Sequence, residues 1–300
     1  MSNVSTFSEK EKPKKTYSQF EDVWRRFRKN KTAMVGLFIV IILILCAIFA
    51  DVIAPGDGIN PGYDVQDPEN VFLRPSLRHP FGTDNFGRDI FARIIHGSRI
   101  SLAVGFIVVG IALVVGTTLG SLAGFYGKVV DNVIMRLVDT LLAIPGILLA
   151  ISIAAALGPG LYNTMISVGI GAIPSYARIV RASVLTLKEL EFVEAARSVG
   201  ASDLRIISRH ILPNCMAPII VQATIGLAGA ILAAAGLSFL GIGIQLPIPE
   251  WGAMLSAGRR FIRLHPHLTI FPGLAIVTVV LGLNMMGDGL RDAFDPKLKK

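Results

Sequence analysis

Apolar residues in this chain gather into runs separated by stretches where charge, proline and glycine concentrate. The runs are about 20 residues long, the length at which a helix crosses the hydrocarbon core of a bilayer. Six lie near 33–53, 101–124, 133–157, 162–184, 213–240 and 268–289. A soluble core would give shorter runs with amphipathic periodicity. The pattern therefore predicts an all-α polytopic membrane protein with six transmembrane helices. The first run follows a long charged stretch, exceeds a usual signal-peptide core and lacks a clear small-x-small cleavage site, so it reads as a retained helix. Pro145 and Pro174 fall inside the third and fourth segments and should kink them, while Pro213 and Pro272 mark the starts of the fifth and sixth. Gly116, Gly120 and Gly124, and again Gly226, Gly229 and Gly236, should let helix backbones approach closely.

Two shorter patterns are amphipathic. Residues 18–31 place Phe20, Val23, Trp24 and Phe27 on one helical face and Arg25, Arg26 and Lys29 elsewhere, which predicts a helix in the membrane interface. Residues 1–17 are polar and lysine-rich and read as disordered. In the long loop 54–100, Ile90, Phe91, Ile94 and Ile95 share a face, with Asp89 and Arg93 paired four apart, which predicts a helix resting on the outer surface. Near the inner end of the third segment, Arg136 and Asp139 are spaced to pair on one helix face.

Composition adds to this picture in two places. With 52% hydrophobic and 17% charged residues and a mean hydropathy of +0.61, the chain lies outside the soluble globular range. A net charge of +8 would suit nucleic acid, but the basic residues flank the apolar runs instead, so no nucleic acid is expected and the lipid bilayer is the partner. All 11 lysines fall in 1–32, 125–132, 185–212 and 290–300. That split predicts an N-in, C-in topology, although Arg74, Arg78, Arg88, Arg93, Arg99, Arg259, Arg260 and Arg263 fall in the outside loops. Cys46 and Cys215 lie in or beside apolar runs without metal-ligand spacing and read as packing residues. His79, His265 and His267 sit in outer loops without convincing ligand spacing.

The inner segment KELEFVEAARSVGASDLRIISRHILPN is too structured for a connector. Ala195 and Ala196 are small, Gly200 tightens a turn, Ser202 should cap the next helix, and Asp203 favours its N-terminus. Pro213 then starts the next span. The prediction is two short helices and a tight turn projecting from the membrane, suited to transmitting force from a partner.

The string Glu194-Ala195-Ala196, three residues, Gly200, nine residues, then His210-Ile211-Leu212-Pro213 resembles the EAA motif of ABC importer permeases. The family usually has an aliphatic residue where this chain has His210. The segments HPFGTDNFGRDIFARIIHGSRISL, VDTLLAIPGILLAI, PIPEWGAML and MMGDGLRDAFDPKLK are similar to the C-type permease of the dipeptide/oligopeptide/nickel group. The resemblance implies a type I importer-like permease fold in a bacterial or archaeal cytoplasmic membrane. Its parts would be a tail and interfacial helix (1–32), a first span and outer loop (33–100), a permease core (101–289) with its coupling segment at 185–213, and a tail (290–300). It implies a paralogous B-type permease, two ABC ATPases that carry the ATP and Mg, an extracytoplasmic solute-binding protein, and a short peptide as substrate. Nickel and glutathione are the alternative cargoes. The coupling residues would be Glu194, Ala195, Ala196, Gly200, His210, Leu212 and Pro213.

Enzyme readings find no support in the residues. The chain has no G-x-x-x-x-G-K-[ST] phosphate loop, G-x-S-x-G or H-E-x-x-H. An ion-coupled secondary transporter, the reading from a different class, would want ionisable residues near mid-membrane, and the apolar runs offer almost none.

Overall fold

The computed structural model describes residues 19–295, so the reading of residues 1–17 as disordered lies outside the described residues. The fold is helical, and the described residues contain no strand beyond one isolated bridge between Thr83 and Asp89. The first helix, α1 (Gln19–Lys29), ends at Asn30, whose side-chain oxygen accepts from the Thr32 and Ala33 N–H groups and so caps α2 (Lys31–Ile48). A single turn, α3 (Ala50–Ile53), follows. Phe27 is buried against Ala33 and Ala293, while Trp24 stays half exposed. One face of α1 is therefore held by the chain itself, near the carboxyl end of the last helix.

Among the described residues, four helices are long and apolar enough to cross a membrane: α2, α4 (Ile90–Tyr126), the continuous stretch Asp203–Phe239, and the last helix His267–Phe294. A fifth crossing arises if α5 (Lys128–Leu142) and α6 (Gly146–Leu157) count as one broken span. They meet at an 87° bend. The expected third span, 133–157, is thus two helices, with Pro145 at the N-cap of the second. Proline lacks an N–H and restricts the residue before it, so the break falls there. Helix α7 (Leu161–Leu187) is 27 residues long with Pro174 inside, but it is less apolar than those four.

The outer-surface helix expected around residues 90–95 does not exist as a separate element. Helix α4 runs unbroken for 37 residues, and Ile90 and Ile94 are buried in the core with Trp251 rather than resting on lipid. At its other half, α4 packs along α7. A Cβ on Gly116 would lie 2.5 Å from the Tyr176 Cβ, and one on Gly124 would lie 2.8 Å from the Val184 Cβ. Glycine permits this approach because larger residues would force the backbones apart. Gly229 and Gly236, expected to serve the same end, face open space, and only Gly226 of that set is packed, against the Tyr176 hydroxyl.

The charge pairs also differ from those expected from spacing. Asp139 pairs with Arg178 at 2.7 Å, not with Arg136. Asp131 receives Arg181 through two bonds of 2.5 and 2.6 Å. Both pairs tie α5 to α7, and a bidentate guanidinium–carboxylate pair fixes geometry as well as charge. Asp89 caps α4 by accepting from the Ala92 N–H and meets the His79 ring at 2.8 Å, leaving Arg93 to other partners.

Arg93 is 1% exposed. Burying a guanidinium costs several kcal/mol (roughly) unless its donors are met. They are met by the carbonyls of Tyr63 at 3.0 Å and Pro247 at 3.3 Å, with Asp84 3.9 Å away. Arg88 beside it donates to Asp84 at 2.8 Å and to Asp64 at 3.3 Å. Phe81 stacks on Phe271, and Phe72 on His265. These contacts fold the two long loops into one clasp at the end of the molecule where α4 begins. The three loop histidines are spent on packing there: His79 on Asp89, His265 on Phe72, and His267 buried beside Gly82.

Candidate functional site

The opposite end of α4 carries the predicted knob. Helix α7 ends at Leu187, and the ammonium of Lys188 donates to the Gly124 carbonyl at 3.1 Å, satisfying a carbonyl near the end of α4. Helix α8 (Glu191–Ser198) follows. Val193 and Ala196 face inward and are buried with Phe125 of α4, Val180 and Val184 of α7, and Ile206, Ile207 and Ile211. The glutamates at 191 and 194 stand in the first turn of α8 and Arg197 in the last, each on the side the helix dipole favours. The Arg197 guanidinium lies over the Phe125 ring at 5.8 Å from its centre, a second tie to α4 that spacing does not reveal.

Gly200 ends α8 at φ +80°, the left-handed region. Its N–H donates to the Arg197 carbonyl at 3.0 Å, and the Ala201 N–H donates to the Ala196 carbonyl at 3.1 Å. That pair of bonds is the Schellman closure, which satisfies two of the four orphan carbonyls and needs a residue at ease with positive φ. The turn expected at Gly200 is therefore present, and its cause is the backbone.

Ser202 stands at the N-cap of α9 (Asp203–Ile206), but its side chain makes no capping bond, contrary to the expected role. Nor does Pro213 begin the next helix. The helical path from Asp203 runs on through a π-turn at Ile207–Ile211 and a 3-10 turn at Leu212–Cys215 into α10 (Met216–Phe239). Pro213 has no N–H to give, and the Leu212 N–H reaches back to the Ile207 carbonyl, the wider i to i−5 register. The Asn214 amide covers the His210 carbonyl at 2.6 Å. The half of the knob that follows the Gly200 turn and the spanning helix are thus one continuous rod with a bulge in it.

The seven candidate residues divide into two groups. Ala196 and Leu212 pack into the same apolar cluster, which roots the knob on α4, α7 and α10. Glu194, Ala195, Gly200 and Pro213 are exposed, and His210 is half-buried. Sequence spacing did not single out the apolar surface beside them. Val199 is 84% and Leu204 76% exposed, with Leu190 and Phe192 also open. The sequence marks these positions only as apolar residues on either side of the turn glycine; their exposure follows from the turn, which leaves both outside the buried cluster.

Residues 116–300 match the family model described as binding-protein-dependent transport system inner membrane component, and residues 18–75 match the N-terminal TM domain of oligopeptide transport permease C. The dipeptide transport system permease protein DppC of Alkalihalophilus pseudofirmus is 52% identical over 282 residues, covering 94% of this chain and 91% of that protein. The glutathione transport system permease protein GsiD of Escherichia coli is 49% identical over 288 residues, covering 96% and 94%. In structure, an inward-facing conformation of the MetNI methionine ABC transporter superposes with a TM-score of 0.55 at 21% identity, over 69% of this chain and 98% of that one, which speaks to the fold alone. The chain belongs to the family of inner-membrane components of binding-protein-dependent transport systems, as a C-type permease of the dipeptide/oligopeptide group.

Proposed function

We propose that this chain is one of two membrane-spanning permeases of an ATP-driven importer for short peptides, moved between inward- and outward-open states by ATPases that grip the knob from Glu191 to Pro213. The observation that carries this reading is the knob itself: an exposed apolar surface at Val199 and Leu204 on a base fixed to the ends of three long helices. A push on Leu204 reaches α10 along the continuous helical path from Asp203 to Phe239, and a push on α8 reaches it through the shared apolar cluster. In this reading the chain crosses the membrane six times, with α7 and the broken α5–α6 pair each counted as a span. Both termini lie inside, as the lysine distribution favours. The knob is then cytoplasmic, and the clasp of the two long loops faces the extracytoplasmic binding protein. The second permease is a B-type paralogue. ATP and Mg belong to the two ATPases.

The substrate reading rests on the resemblance to DppC, with glutathione, itself a tripeptide, as the second reading through GsiD. Uptake of labelled di- and oligopeptides and of labelled glutathione, in cells with and without this chain, decides between them. Loss of peptide uptake on deletion supports the proposal. Peptide uptake that survives deletion while glutathione uptake disappears removes it in favour of the second reading.

A further inference from the structure

The clasp leaves an open cleft of about 330 Å³ where the two long loops meet. That volume is at the small end of the range for small-molecule sites. Its polar lining includes Arg259, Arg260, Asn85 and Gln245, and its apolar walls include Phe86 and Leu246. No lining residue is acidic. The carboxylates at 84 and 250, each within a few residues of the lining in sequence, are already committed. Asp84 takes Arg88 at 2.8 Å, and Glu250 accepts from the Gly252 and Ala253 N–H groups at 2.9 and 2.8 Å. Arg259 is steadied by the Phe239 ring at 5.3 Å, and neither it nor Arg260 pairs with a carboxylate among the described residues. Two adjacent cations beside apolar walls, with no internal counter-ion, match a small amphipathic anion.

We propose that this cleft is a carboxylate subsite, in which Arg259 and Arg260 receive the free C-terminal carboxylate of the incoming peptide while its last side chain lies against Phe86 and Leu246. The assignment rests on the peptide-importer reading above. Planar guanidinium groups bind carboxylates through paired N–H donors, and each charge-assisted bond discriminates more strongly than a neutral one. The site would hold the peptide's end at the mouth as the binding protein opens. It would make the permease itself sensitive to a terminal carboxylate.

The test uses the full complex in proteoliposomes, with binding protein saturated in turn by trialanine and by trialanine amide. Saturation with each peptide removes the binding protein's own preference from the comparison. The paired Arg259→Gln and Arg260→Gln substitution is expected to slow trialanine uptake about tenfold and leave amide uptake and binding-protein affinity unchanged. The Arg259→Lys and Arg260→Lys pair should recover part of the loss, which a misfolded chain would not. Equal losses for both peptides overturn the proposal, and a matching fall in binding-protein affinity would show that the arginines meet an acidic protein surface instead. Unchanged uptake of both overturns it too. A wild-type complex that moves neither peptide would count against the importer reading, a result distinct from these.

Discussion

The indole N–H of Trp251 donates to the Ile94 carbonyl at 3.1 Å, joining residues 157 positions apart in the chain. Trp251 is fully buried, and Gly97 one turn further along α4 leaves the space it fills. A Cβ on Gly97 would lie 2.9 Å from the indole nitrogen and would also run into the Pro249 carbonyl. Trp251→Phe should cost about 1 kcal/mol, the net worth of one hydrogen bond. Trp251→Ala should cost about 3–5 kcal/mol through the cavity it leaves. Thermal melting of the detergent-purified permease pair checks the order. Equal losses for Phe and Ala would mean that the bond, not the packing, holds the clasp.

Glu250 sits beside that tryptophan as the cap of α11 (Trp251–Gly258) and is 2% exposed. Burial raises its pKa above the ordinary glutamate value, and the Gly252 and Ala253 N–H groups offset only part of that. A folded-state acid with a raised pKa binds its proton more tightly than the unfolded chain does. Its contribution to stability is therefore greatest at low pH. It declines as pH rises from the ordinary glutamate value to the raised one, and is flat beyond. Glu250→Gln keeps an acceptor for the cap and should abolish that slope. Melting temperature against pH for both proteins is the measurement, and parallel curves would rule out Glu250 as the source.

Gly200 is a test of cause. A Cβ placed there meets nothing within 4 Å, so only the positive φ penalises a side chain. Gly200→Ala should cost about 1 kcal/mol, Gly200→Asn less and Gly200→Val more, following tolerance of the left-handed region. Peptide uptake should fall in the same order. If Asn proves as harmful as Val, bulk at the surface matters, and the turn alone does not explain the glycine.

The parts legible in the sequence were those governed by local rules. Run length gave the helices, and the positive φ at Gly200 followed from one glycine between two helical patterns. What escaped depends on partners far along the chain. Arg136 and Asp139 were adjacent on a helix, yet Asp139 chose Arg178, 39 residues away, because the bend at Pro145 leaves α5 lying against α7. Asp89 and Arg93 had ideal spacing as well. A second loop supplied the carbonyl of Pro247, 154 residues on, and Arg93 went there. Periodicity could see that Ile90 and Ile94 share a face, but not that the face meets Trp251 rather than lipid. At the knob, the motif marked the turn and the buried alanine. The exposed Val199 and Leu204 followed only once the turn had placed them outside the cluster of Val193 and Ala196.

Those two residues give the most direct test of the coupling proposal. Val199→Asp combined with Leu204→Asp changes surface that touches nothing in the knob's core, so the permease pair should assemble and melt as before. The measurement is ATP-dependent peptide uptake into proteoliposomes, read beside co-purification of the ATPases with the permeases. Uptake is expected to fall at least about tenfold, as the loss of roughly 1.4 kcal/mol or more of ATPase binding would give, with the ATPases lost from the purified complex. Normal uptake with the ATPases still bound would contradict the coupling proposal.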